Sequence, residues 1–210
     1  MLPLDVLLTF ASAALMLSLS PGPSNLYIMA CTMGNGGGAG VAAASGMALG
    51  SLIYVLLSAV GLAALIVYSP ALFLALKLLG ASYLILLGVR TLLTAQQPQL
   101  KAVGHLPAKK VLRQSVIVEL TNPKTALFFL AFLPQFSQPE QGDVAFQLVL
   151  LGVIYSVIAL GSDLLVVSLS RQLGGWLVRM PRLAVLQEQL AGVILLSLGT
   201  WILAESLLLA

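Results

Sequence analysis

Six stretches of this chain are so long and so apolar that each must lie in a deep core or cross a lipid bilayer. They run over about residues 4–31, 41–67, 71–94, 111–136, 144–170 and 183–209, and a crossing takes about 20 mostly apolar residues. A water-soluble fold could not hide them all. Charged residues make up 8% of the chain and hydrophobic residues 60%, whereas a soluble domain carries roughly 25% charge and still has a large exterior to cover. A bilayer removes that demand. The stretches are separated by a Gly-rich turn (Gly34 to Gly40), a Ser69-Pro70 turn, a basic loop over 96–110, an acidic loop over 137–143 and a basic Gly/Pro loop over 171–182. No connection is long enough for a soluble domain, so the expectation is an all-α membrane protein, one transmembrane domain over residues 1–210.

The basic residues orient the array. Arg90, Lys101, Lys109, Lys110, Arg113, Arg171, Arg179 and Arg182 fall at the connections after the third and fifth stretches, on one side of the membrane. Asp5, Glu140, Asp143 and Glu205 fall on the other, with Lys77 the one basic residue near them. Lys and Arg accumulate in cytoplasmic loops, so both termini are expected outside. The net charge of +3 is thereby a mark of topology and no sign of a nucleic-acid partner. The first Lys or Arg is Lys77, so the opening stretch lacks the basic start of a cleavable signal and is expected to stay as a span. Lys77 itself reads as an anchor snorkelling to the outer interface. Cys31 is the single cysteine and His105 the single histidine. The first excludes an intramolecular disulfide, and the second reads as an ordinary loop residue.

The two halves resemble each other. Leu79, Leu84, Leu87, Gly88 and Leu92 match Leu190, Leu195, Leu198, Gly199 and Leu203 at one constant offset. Leucine matches come cheaply in apolar sequence, and the prolines carry more weight. Stretch one is interrupted by Ser20-Pro21-Gly22-Pro23 and stretch four by Thr121-Asn122-Pro123-Lys124. Each half therefore opens on a Pro-broken helix. With three spans per half, the halves must lie in opposite orientations, the inverted-repeat plan of many secondary transporters. Repeat one covers about 1–95, the basic cytoplasmic loop about 96–110 and repeat two about 111–210.

Proline removes a backbone donor and frees a carbonyl, and such groups inside a bilayer need protein or a cavity to satisfy them. One proline can be a mere kink; two at matching places point to a binding site near the midplane. The candidate binding residues are Pro21, Gly22, Pro23, Ser24, Asn25, Asn122, Pro123 and Lys124. Freed carbonyls suit an ammonium and helix N-termini a carboxylate, so a zwitterion fits.

Three ionisable residues, Glu119, Lys124 and Asp163, lie seven or more residues from either end of their stretches. Each costs roughly 2.5–3.5 kcal/mol at such depth and should face a cavity or the protein interior. Asp163 extends a stripe of small residues at helical spacing, Gly152, Ser156 and Ala159, which suits a close helix contact or a solute path. Lys124 can pair with one acid as a structural bridge. One acid is then left over, and a buried carboxyl without a cation can exchange a proton. Asp163 and Glu119 are accordingly the candidates for proton coupling, Glu119 being also the candidate partner of Lys124. The run Ala42, Gly46, Gly50 reads as helix packing. Gly36-Gly37-Gly38 has no preceding strand and no following lysine, so it makes no phosphate-binding loop.

These motifs resemble the lysine-exporter superfamily, and within it the homoserine/threonine-resistance branch of bacterial amino-acid exporters. The resemblance rests on Ser20-Pro21-Gly22-Pro23, the glycines from Gly40 to Gly50, Ser69-Pro70, Lys77, the run Gly80 to Leu84 with Gly88, the run Asn122 to Leu130, and Asp163. It covers nearly the whole chain. It implies a six-helix exporter of the bacterial inner membrane, driven by the proton or membrane gradient and acting on amino acids or close relatives. Three departures stand out: the first loop is glycine-rich where the family is basic, Ser24 follows the second proline where Asn or Asp is usual, and Glu119 stands where an asparagine is expected.

The expected function is secondary-active export of a small amino acid or derivative, of the homoserine, threonine, leucine or cysteine type, by proton antiport. The partners are the solute, protons and the bilayer, with a homo-oligomer left open and no cofactor called for. A metal-cation exporter of the same superfamily is the alternative; against it, the stretches hold no histidine and Cys31 is the one soft ligand. A membrane enzyme would need clustered catalytic groups, and an isolated Ser20 and Lys124 make no such set.

Overall fold

The structure is a computed structural model and describes residues 2–19, 22–93, 104, 106–177 and 181–208. Among these residues every regular element is helical. Helices α1 (Leu4–Leu19) and α2 (Pro23–Asn35) form a pair bent by 53°. Gly22 is extended and Pro23 opens α2, a position where the ring presets the helical φ and its missing N–H costs no bond. Gly36, at φ 84°, turns the chain through a conformation that glycine alone adopts freely. Helix α3 (Gly37–Leu57) follows at once and runs through a π-helical turn (Ser58–Leu62) into α4 (Ala63–Tyr68).

The helix thus begins before residue 41, and most of the expected glycine turn is helical. Gly40 explains why: a side chain there would run into Thr32 and Val167, so glycine serves close packing of α3 on α2 and its neighbours.

Pro70 opens α5 (Pro70–Leu93). Helix α6 (Ala108–Leu120) meets α7 (Pro123–Leu127) at a bend of 50°. The chain continues from α7 through a π-helical turn (Phe128–Phe132) and a 3-10 turn (Leu133–Phe136). Helices α8 (Val144–Leu177) and α9 (Pro181–Leu208) complete the described chain.

By length and apolarity Gly37–Ile66, Ala71–Leu93 and Val144–Gln172 can each cross a membrane, and each bent pair can do so as one broken span. In α9 the described apolar stretch is Gly192–Leu207, and in the sequence Leu190 and Ala191 continue it. Large apolar side chains such as Leu4, Val60, Leu79 and Leu93 point outward, while Glu119, Asn122, Lys124, Thr125 and Asp163 are buried. That inside-out distribution is what a surface facing lipid requires.

The segments with the matching Leu/Gly pattern pack on each other. A Cβ on Gly88 of α5 would lie 2.7 Å from the Leu196 amide nitrogen and 2.8 Å from the Gly192 carbonyl oxygen; one on Gly199 of α9 would lie 2.8 Å from the Ala81 carbonyl oxygen. Backbone atoms cannot rotate aside, so the helices would have to separate. Gly88→Ala is expected to cost about 2 kcal/mol and to lower the melting temperature in detergent. Gly61→Ala, with nothing within 4 Å of the added carbon, should leave that temperature unchanged.

Candidate functional site

The two breaks meet. Asn122, the residue before Pro123, turns its side-chain oxygen onto the Lys124 N–H at 3.0 Å, a cap that satisfies one of the donors a helix start leaves open. Its side-chain nitrogen donates to Ser24 Oγ at 2.8 Å, in the first turn of α2. The hydroxyl of Ser24 donates in turn to Glu119 Oε2 at 2.5 Å. Glu119 Oε1 accepts from Thr125 Oγ1 at 2.9 Å and from Ser51 Oγ at 3.2 Å. Every hydrogen bond that the Glu119 carboxyl is seen to make is one it accepts, from hydroxyls on α2, α3 and α7. All five residues are buried.

Lys124 goes another way. Its Nζ donates to the Leu17 carbonyl oxygen at 3.2 Å, in the last turn of α1, where a cation meets the negative end of the helix. The same amine would stand 3.1 Å from a Cβ on Gly22, so a bare backbone is what lets the lysine reach across the break. Asn25 Nδ2 donates to the Ser18 carbonyl at 3.4 Å, and Tyr54 OH to the Leu120 carbonyl at 2.7 Å. Carbonyls expected to wait for an ammonium therefore already carry side-chain donors at Leu17, Ser18 and Leu120.

Asp163 differs from Glu119. It is 7% exposed, and among the described residues no hydrogen bond reaches its carboxyl. It lies close enough to Lys124 and Glu119 to feel both charges. Its neighbour Ser162 shares a hydrogen bond of 2.9 Å with Ser18 Oγ, which ties α8 to the end of α1. At the other end of the small-residue stripe, a Cβ on Gly152 would lie 2.7 Å from Val55, so that end is a packing contact with α3. Tyr155, between the two ends, stacks on Phe128 with ring centroids 4.0 Å apart and forms part of the wall of the cluster.

The structure brings Gly22, Ser24, Asn25, Glu119, Asn122, Lys124 and Asp163 into one neighbourhood. Pro23 is exposed and Pro123 half-buried, so both shape the backbone more than they line the site; Pro21 lies outside the described residues. Ser51, Thr125, Tyr54, Ser18 and Ser162 escaped the sequence reading as site residues. Ser51 follows Gly50, where a Cβ would lie 2.7 Å from the Glu119 Cβ. The small-residue run brings α3 onto the acid as well as packing two helices. Cys31 is buried in a separate apolar cluster with Ile28 and Met47, and Lys77 lies 5.7 Å from the centroid of the Phe73 ring. Among the described residues no three His, Cys, Asp or Glu side chains are placed to hold a metal ion.

The sequence profile of the LysE type translocator family matches residues 15–206. An uncharacterized membrane protein of Pseudomonas aeruginosa is 31% identical over 197 residues, 91% of each chain. A leucine efflux protein of Enterobacter sp. (strain 638) is 35% identical over 130 residues, which span 61% of this chain and 62% of the relative. A homoserine/homoserine lactone efflux protein of Salmonella typhimurium is 32% identical over 163 residues, 77% of this chain and 79% of the relative. No solved structure matches the chain.

Proposed function

The chain belongs to the LysE type translocator family, and from that premise we propose that it is a secondary-active exporter of a small amino acid or derivative, working by proton antiport in the bacterial inner membrane. The observation that carries the reading is the junction of two Pro-broken helices at a buried cluster of two acids and one lysine. Broken helices at membrane depth place polar backbone and side chains where a solute can meet them, and ionisable groups at that depth mark solute or proton pathways. The relatives named for leucine and homoserine efflux point to the solute class: leucine, homoserine, threonine and cysteine are the first to try. Their roles as efflux proteins also favour transport over an enzymatic activity.

In this reading the chain is one domain of six spans, two inverted three-helix repeats, with α9 as the sixth span and both termini outside. Pro21, Gly22, Pro23, Ser24, Asn25, Asn122, Pro123 and Lys124 frame the solute site. Asp163 is the proton carrier, because its carboxyl is deeply buried and its hydrogen-bonding capacity is unspent among the described residues.

The test is efflux from vesicles containing the pure protein and preloaded with each of the four amino acids. With acid outside, at least one should leave faster than from vesicles without a pH gradient, and the vesicle interior should acidify as it does. Efflux indifferent to the gradient for every solute would overturn the antiport.

A further inference from the structure

The Glu119 carboxyl sits in a cradle of three buried hydroxyls, Ser24, Ser51 and Thr125, supplied by three helices. Convergent donors of this kind are what a protein builds to receive a carboxylate, and here the chain's own carboxylate fills the place. A tethered group competes with a free one at high effective concentration, so the α-carboxylate of a free amino acid is a poor rival for the cradle.

Charge counting points the same way. Glu119, Asp163 and Lys124 are the buried charged residues among those described, so with both acids ionised the cluster carries one negative charge. The other titratable groups facing the acids there are Tyr155, beside both, and Tyr54, beside Glu119, and both are uncharged at neutral pH. A buried net charge is costly in the membrane. One proton neutralises it, and so does one monocation. A zwitterion brings no net charge and leaves the cost in place.

Resting on the exporter reading, we propose that the preferred solute is a small primary amine whose carboxylate is absent or masked, as an amide, ester or lactone, and that it exchanges against one proton. The solute's ammonium faces Asp163, whose proton leaves as the ammonium arrives. Glu119 is the residue that sets the specificity, because it holds the cradle that a free carboxylate would need. One positive charge enters for each that leaves, so the cycle moves no net charge.

The test is calorimetric titration of the purified full-length protein at neutral pH with two probes, L-leucine and L-leucinamide. The wild type should bind leucinamide at least about tenfold more tightly than leucine. Repeating the titration in buffers of different ionisation enthalpy should show about one proton released per leucinamide bound when the protein starts at a pH where Asp163 is protonated. Glu119→Gln brings the cluster to zero net charge and weakens the cradle's resident, so the preference should move toward leucine by tenfold or more. A wild type that favours leucine overturns the proposal, as does a folded Glu119→Gln protein with an unchanged ratio. The wild-type affinities and proton count decide the matter even if that variant does not fold. If neither probe binds, and no solute leaves preloaded vesicles, the exporter reading itself fails and this proposal with it.

Discussion

Asp163→Asn is expected to cut proton-driven export by about 100-fold or more and to leave any residual solute exchange independent of pH across the neutral range. The amide has nearly the shape of the carboxyl and cannot take up or give away a proton. Asp163 is deeply buried, and no hydrogen bond among the described residues fixes its carboxyl in one state. Its environment is therefore free to change with the solute, which is what a coupling group needs; a carboxylate held by several donors would resist protonation. Because Ser162 holds Ser18, the substitution should leave α8 attached to α1. The variant should thus insert and purify like the wild type, which separates lost coupling from lost fold. Efflux from preloaded vesicles, with and without a pH gradient, checks it. A variant that keeps full gradient-driven export would place the coupling elsewhere.

Much of this site could be read from the sequence because a bilayer makes polar residues conspicuous. Pro23 and Pro123 both open helices where the breaks were expected, and Glu119, Lys124 and Asp163 all turn inward, as their cost in lipid demands. Small hydroxyls were harder to see. Serine and threonine in a membrane helix usually bond their own preceding turn, as Ser115 and Ser206 do here, so nothing in the sequence separates Ser51 or Thr125 from them. What separates them is the tertiary approach that Gly50 permits.

The sequence also left open whether Glu119 pairs with Lys124, and the geometry favours a different anchor. Glu119→Ala is expected to cost about 3 kcal/mol, since hydrogen bonds to a charged group are worth about 1.5–3 kcal/mol each and part of the loss is recovered when the freed hydroxyls turn to helix carbonyls. If an ion pair held Glu119, adding Lys124→Met should restore much of that stability, because it removes the uncompensated buried cation. Lys124 instead has the Leu17 carbonyl and the end of α1 to stabilise it, so the double variant should be no more stable than Glu119→Ala alone. Thr125→Val gives the opposite pattern. It should be costly alone and nearly free in the Glu119→Ala background, a coupling of about 2 kcal/mol. Unfolding of the four proteins in detergent measures both couplings. Restoration by Lys124→Met, with little coupling to Thr125, would make the lysine the partner of Glu119 and reduce the cradle to incidental contacts.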